Sequence, residues 1–244
     1  MKRFNLTYKP FGDHSILIEW PSNIDENILY DILSFKKILK NHTFKQKVYV
    51  KHAYNSILIS YSLTIDNIYN EILLLKQLYL SHKEDSKREV ILWKIPVCYD
   101  EKYGIDLDEI TKHKSLSKSR IIALHSKNIY TVYFIGFLPG FLYLGGLNKK
   151  LKAPRKSIPR LHIKKGAVAI GGNQTGVYPS NSPGGWNIIG NTPINFFNSN
   201  SNIPCFAKAG DKIQFIPISV EVYEDILIQV KQGTYQIESE VIHA

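Results

Sequence analysis

The sequence predicts an α+β protein in two parts: a small N-terminal α/β sandwich, then a closed or nearly closed β-barrel. Three observations carry this. The first ninety residues alternate strand and amphipathic-helix signals. Nine consecutive polar or charged residues, Ser81 to Glu89, then interrupt the pattern. Beyond them, short β-type runs are separated by Gly, Pro, Asn and Ser, and helix signals are rare. At 244 residues the chain can bury two cores, and 44% hydrophobic with 21% charged residues excludes a disordered or fibrous protein.

Taken in order, Phe4 to Tyr8 and Ser15 to Trp20 read as strands joined by a Pro10-Phe11-Gly12-Asp13 turn. Ser22 or Asn23 offers an N-cap to a helix whose buried face is Ile24, Ile28, Ile32, Phe35 and Leu39. Val48 to Lys51 and Ser56 to Tyr61 form a hairpin, and Ile65, Ile68, Ile72, Leu75 and Tyr79 mark a second helix. This first domain spans residues 1–82. A second spans 90–238, with Ser81 to Glu89 as a protease-sensitive linker. Its strands are read at Val90 to Val97, Ile129 to Ile135, Ala167 to Ile170, Ile188-Ile189, Asn195 to Phe197, Lys212 to Ile216, Val220 to Tyr223 and Ile226 to Val230. Short helices are expected near Asp106 to Thr111 and Leu116 to Ser126.

The formal charge is +10, and its distribution says more than its total. Residues 110 to 210 contain fourteen Lys and Arg and no Asp or Glu, which leaves the rest of the chain at −4. Such a stretch implies an anionic ligand or an acidic partner surface. Any carboxylate base must then come from its flanks or from another chain. Arg occurs only at positions 3, 88, 120, 155 and 160, so the charge is mostly lysine and does not read as a nucleic-acid interface. Cys98 and Cys205 lie far apart without a CxxC; one disulfide is open to them, but reduced thiols are the preferred reading. No HExxH or HxH appears, and no metal site is expected. No run approaches the roughly 18 apolar residues of a membrane span, so the expectation is a soluble, cytoplasmic protein with no membrane association.

Generic catalytic motifs fail. Gly171-Gly172-Asn173-Gln174-Thr175-Gly176 resembles half a phosphate loop, but Val177-Tyr178 stands where Lys-Ser/Thr is required. There is no GxSxG, and His125, after the apolar run Ile121 to Leu124, reads either as a base or as a structural histidine. Gly, Pro, aromatic and amide residues instead concentrate in three blocks: Gly136 to Leu147, Ala153 to Arg160, and Gly171 to Gly190. Gly and Pro alone would signify tight barrel turns. Combined with two of only five arginines, they signify a pocket walled by aromatics, with Arg155 and Arg160 donating to an anion.

The strings GFLPGFLYLGGL, APR with PR, and GGNQTGVYPSNSPGGWNIIGNTP also resemble the family that comprises the 5-oxoprolinase B subunit, the sporulation-kinase inhibitor (KipI) and allophanate hydrolase subunit 1. Tyr103-Gly104-Ile105-Asp106-Leu107, His125, Gly210-Asp211 and Pro217-Ile218 match as well. The resemblance covers nearly the whole chain and implies that the barrel is cyclophilin-like. The sequence departs from the family pattern in having Gly190-Asn191-Thr192-Pro193 for Gly-Arg-Thr-Pro, and Lys164-Lys165-Gly166 for Pro-Ala-Gly.

What the resemblance implies is one subunit of an ATP-dependent 5-oxoprolinase, a cyclic-amide hydrolase that makes L-glutamate. It would work with a subunit-C (KipA-like) and a subunit-A (LamB/YcsF-like) partner, with ATP used by the assembled complex. Two alternatives accompany it: an inhibitory binding protein of a sensor histidine kinase, and part of a biotin-dependent carboxyltransferase-like pair. The expected substrate-binding set is Arg155, Arg160, Gln174, Thr175, Tyr178, Ser182, Gly184, Gly185, Trp186 and His125. With no carboxylate in the stretch to neutralise them, Arg155 and Arg160 are both expected to be unpaired and at least one to face the cavity of Gln174, Tyr178 and the Gly184-Gly185-Trp186 turn, so that Arg160→Lys would lower turnover without touching folding or subunit association.

Overall fold

The computed structural model describes residues 4–81 and 89–243, which fall into two compact units, Met1–Arg88 and Glu89–Ala244. Most of the polar run between Ser81 and Glu89 lies outside the described residues.

In the first unit, strands β1 (Thr7–Pro10), β2 (Ser15–Glu19), β3 (Val48–His52) and β4 (Ser56–Tyr61) form an antiparallel sheet in the order β1-β2-β4-β3. Helices α1 (Glu26–Asn41) and α2 (Ile68–Ser81) supply its apolar cover. Ile16 and Ile18 alternate with part-exposed neighbours along β2, as do Ile57 and Ile59 along β4. One face of the sheet therefore packs on Ile28, Ile32, Phe35 and Leu39 of α1. The α1 cap is Asp25, whose carboxylate accepts the Asn27 N–H at 2.7 Å, not Ser22 or Asn23. Asp31 is buried yet satisfied, accepting from the Trp20 indole N–H at 2.6 Å and the Tyr79 hydroxyl at 2.7 Å.

The second unit contains β5 (Glu89–Cys98), α3 (Leu107–Lys114), α4 (Lys118–Ser126), β6 (Ile129–Ile135), β7 (Leu142–Gly145), β8 (Arg160–Ile163), β9 (Ala167–Gly171), β10 (Gln174–Val177), β11 (Ser182–Gly184), β12 (Asn187–Asn191), β13 (Lys212–Ile218), α5 (Val220–Gln232) and β14 (Ser239–His243). Seven strands run in the order β12-β9-β10-β7-β6-β13-β5, and pairing of Asn191 with Cys98 closes the ring. The closed barrel follows the expected fold class. β14 adds to the edge of β5, so this unit continues past residue 238. Alternation along β9 sets the two faces: Val168 and Ile170 enter the barrel core, whereas Ala167 and Ala169 face a second cluster outside it.

Three strand expectations are corrected. Val220 to Tyr223 and Ile226 to Val230 belong to one helix, α5. Its β-branched residues favour strand, but Ser219 caps its start, Gly233 ends it at φ +72°, and Tyr223 and Ile226 are its buried face. Asn195 to Phe197 is not a strand. Phe196 plugs the barrel core, while the Asn198 N–H turns to the Pro204 carbonyl at 2.8 Å instead of joining a ladder.

Candidate functional site

The second cluster outside the barrel is built on Trp186. Its indole lies flat on the β9–β10 hairpin because Gly171 leaves room: a Cβ there would sit 2.5 Å from the ring. Phe141 meets the indole edge-on at 5.5 Å, and Tyr143 does so at 6.3 Å. The Arg155 guanidinium stands 5.7 Å from the centre of the same ring.

Arg155 is exposed, but its backbone strap is pinned. Ala153 exchanges two hydrogen bonds with Gly172 at 3.0 and 2.6 Å. The Asn187 amide donates to the Pro154 carbonyl at 2.8 Å, and the Lys156 N–H donates to the Gly185 carbonyl at 2.7 Å. Gln174 pairs with Gly171 across the hairpin, so its side chain leaves on the Trp186 face. Its Oε1 is buried with no hydrogen-bond partner. Burial raises the Tyr143 and Tyr178 hydroxyls above their ordinary range, and Arg155 opposes the rise at both. A cleft of about 460 Å³ opens beside the strap, lined among others by Arg155, Lys156, Asn187, Glu109 and His113. The arrangement offers a planar cation, an amide oxygen in need of a donor and an aromatic wall, which suits a small, flat, polar ligand that becomes anionic.

The structure thus brings Arg155 and Tyr178 to Trp186, and Gln174 leaves the hairpin on the same face. The Gly184-Gly185 turn adjoins them, and its tightness serves packing: a Cβ on Gly184 would fall 2.3 Å from the Tyr178 hydroxyl. Ser182 Oγ is buried without a partner, behind that turn.

Three residues do not fit the expected roles. His125 and Thr175 are both fully buried in the barrel. The Thr175 hydroxyl donates to the Ala169 carbonyl at 3.0 Å, so it accepts from His125 Nε2 at 2.9 Å, and His125 Nδ1 accepts from the Tyr99 hydroxyl at 2.7 Å. Burial pushes the imidazole pKa down to about 3, and the ring stacks 4.7 Å from Phe215. His125 is a neutral core histidine, out of a ligand's reach. Arg160 is not unpaired, because it is bound in two places by Asp106, a buried carboxylate from outside the acid-free stretch.

Asp106 also accepts the Ile188 N–H at 2.7 Å and lies 3.3 Å from the Lys156 ammonium. Lys156 contacts Glu109 as well, and Lys118 contacts Glu101 and Asp108. The acids between 100 and 110 therefore fold back on the basic stretch that follows them. Glu109, the last acid before that stretch, rims the cleft and was not singled out from sequence; its position in the charge pattern was the available signal. Tyr143 belongs to the aromatic Gly136 to Leu147 block expected to wall the pocket, whereas Lys156 and Asn187 carried no such signal. Lys165 and Asn191, both at departures from the family pattern, touch each other: the Asn191 amide donates to the Lys165 carbonyl at 3.0 Å.

Among the described residues no three His, Cys, Asp or Glu side chains converge as a metal site. Cys98 and Cys205 are free thiols, and burial raises the pKa of each. No described helix is long and apolar enough to cross a membrane.

Residues 6–207 match the family described as carboxyltransferase domain, subdomain C and D. The B subunit of the 5-oxoprolinase from Bacillus subtilis is 35% identical over 227 residues, covering 87% of this chain and 92% of that protein. The crystal structure of the protein TTHA0988 superposes with a TM-score of 0.72 at 30% identity, covering 84% of this chain but only 40% of that one. The urea amidolyase of Kluyveromyces lactis shares the fold, with a TM-score of 0.84 at 20% identity, over 98% of this chain and 16% of the larger enzyme. By a match spanning most of its length, and by its identity to the Bacillus protein, the chain belongs to the 5-oxoprolinase B-subunit family of carboxyltransferase C/D-type domains.

Proposed function

We propose that this chain is the B subunit of an ATP-dependent 5-oxoprolinase, and that the cleft lined by Arg155, Lys156 and Asn187 holds the cyclic amide during its opening. The observation that carries this is the exposed guanidinium held over Trp186 on a pinned strap, with a buried amide oxygen without a partner on the same face of the hairpin. The Gln174 carbonyl suits a lactam N–H, and the planar Arg155 suits an oxygen on which negative charge develops. A five-membered lactam is an unactivated amide; ATP would supply a phosphoryl group that turns its oxygen into a better leaving group. The Gly171–Gly176 segment is a β-hairpin, not a loop feeding a helix, so it provides no phosphate cradle on this chain. Glu109 is engaged by Lys156, and the general base is assigned to another subunit.

Partnership is part of this reading. The same module occupies 40% of TTHA0988 and 16% of the urea amidolyase, where it is joined to further chain. Here that complement would come as separate subunit-C (KipA-like) and subunit-A (LamB/YcsF-like) proteins. Co-expression of the three, assayed for ATP hydrolysis dependent on 5-oxoproline, tests the proposal. Activity only in the assembled complex is expected; robust cleavage by the lone chain, or none by the complex, overturns it. A second reading, a carboxyl-transfer module, is favoured by the family description and the urea amidolyase fold. Biotin-dependent carboxylation by the complex would select it.

A further inference from the structure

A second cleft, about 240 Å³, shares no lining residue with the first and is lined by Lys102, Tyr103, His162, Lys164, Lys165 and Tyr223, among others. We infer that this cleft is a binding site for a compact dianion of the phosphate or phosphate-monoester type.

The charge in it is poorly compensated. Lys164 and His162 meet no carboxylate among the described residues, and the Lys165 ammonium meets only the neutral Asn195 amide oxygen, at 2.5 Å. Glu224 lies 3.4 Å from the Lys102 ammonium, in an ion pair more than half exposed on both sides, and Asp100 accepts the Lys102 backbone N–H at 3.0 Å. Such a pair neutralises little. Asp106 contributes no free negative charge, because both its oxygens are committed to Arg160, with Ile188 and Lys156 as further partners.

The turn that presents the lysines is fixed before any ligand arrives. Gly166 sits at φ +83°, and a Cβ there would fall 2.2 Å from the Thr192 carbonyl, so only glycine fits. Its N–H donates to the Tyr178 carbonyl at 2.8 Å, and its carbonyl accepts from the Thr192 N–H at 2.9 Å. The Lys165 N–H is held by the Asn181 side chain at 2.8 Å and its carbonyl by Asn191. Asn191, itself buried, accepts from the Tyr223 hydroxyl at 2.9 Å. Preorganisation of this kind removes part of the ordering cost of capturing an ion.

The donors name the ligand. No arginine fork lines this cleft, so planar bidentate carboxylate recognition is not what it offers. Ammonium point charges on several sides suit a tetrahedral oxyanion, whose oxygens point in all directions. The site stands apart from the Arg155 cleft and does not depend on the activity proposed there.

The test is calorimetric titration of the full chain with inorganic phosphate, and separately with AMP, against sodium chloride at matched ionic strength. Saturable phosphate binding is expected. Lys164→Glu should weaken it about tenfold or more and Lys164→Ala severalfold. Lys127→Glu, the same charge change elsewhere on the unit, and Arg155→Ala should leave it unchanged. Because residue 164 is exposed, melting curves verify that its variants fold. Phosphate no better than chloride overturns the site, as does equal loss in Lys164→Glu and Lys127→Glu, or loss confined to Arg155→Ala. AMP binding tighter than phosphate identifies a monoester as the ligand; phosphate binding as tightly or more so identifies the free ion. Either result supports the cleft.

Discussion

Arg160 grips Asp106 with both terminal guanidinium nitrogens, Nη1 to Oδ2 at 2.9 Å and Nη2 to Oδ1 at 2.5 Å, across 54 residues of sequence. The pair ties the loop before α3 to β8, and through the Ile188 N–H it ties both to the barrel wall. Its carboxylate is buried, whereas the arginine side chain is about one-third exposed. The arginine is thus a clamp, and its loss is felt first in stability.

Arg160→Ala should therefore lower the free energy of unfolding by about 2–3 kcal/mol, below the full cost of an orphaned buried charge because Lys156 and the Ile188 N–H remain. Arg160→Lys should cost about 1–2 kcal/mol, since an ammonium cannot reproduce the fork. Urea denaturation reads both. Wild-type stability in Arg160→Ala would show that Asp106 is satisfied without it.

His125 gives a pH signature. Its folded pKa lies near 3 and its unfolded value near 6.5. Between these the unfolded chain binds one proton more than the folded chain, so stability rises with pH. Conversely, each unit of pH drop from about 6.5 should remove up to about 1.4 kcal/mol until the folded ring protonates. His125→Phe keeps a ring against Phe215 and deletes this titration. It should be less stable at pH about 7.5, since Tyr99 and Thr175 lose their partner, yet show a shallower decline between about pH 6.5 and 5. Parallel pH profiles for the two proteins would reject the buried neutral imidazole.

The hairpin glycines predict a packing contrast. Gly171→Ala places a Cβ 2.5 Å from the Trp186 indole and should cost about 1–3 kcal/mol as the ring shifts. Gly172→Ala meets nothing within 4 Å, so only the strain of φ +67° remains, about 1–2 kcal/mol. Thermal melts, with tryptophan fluorescence to follow residue 186, would expose the difference. Undisturbed fluorescence in Gly171→Ala would contradict the flat seating of the indole.

Which parts of this were legible in sequence follows from the range of the interactions. The β3–β4 hairpin and the α1 face could be read because their signals, alternation and a 3.6-residue period, are local. Helix α5 could not be read from its valines and isoleucines, whose strand preference pointed the wrong way, although the Ser219 and Gly233 caps were present in the sequence. The acid-free stretch was visible as composition. That the acids just before it would neutralise Arg160 and Lys156 was not, because ion pairing between distant residues is a property of the closed barrel. Likewise His125 was visible as a titratable group, but its burial depended on strands that close around it. The Trp186–Arg155 juxtaposition was foreseen only as shared membership of a pocket.

Arg155 is the residue on which the proposed chemistry rests most directly. Its guanidinium is exposed, faces the indole at 5.7 Å and meets no carboxylate among the described residues. A cation–π contact at an exposed site is worth only about 0.5–1 kcal/mol, so Arg155→Ala should barely alter the melting temperature. If the guanidinium meets charge developing on the lactam oxygen, the same substitution should lower turnover of the assembled complex by about tenfold or more, or about 1.4 kcal/mol of transition-state stabilisation. Arg155→Lys should recover little, because one ammonium lacks the planar pair of donors. Gln174→Glu offers the complementary test, since a carboxylate on the Trp186 face would repel negative charge developing on the lactam and should depress turnover too. Turnover, melting temperature and co-purification measured on one preparation separate the roles. A fall in kcat with assembly and melting intact places Arg155 at the reacting atoms, whereas wild-type turnover in Arg155→Ala would remove it from the site.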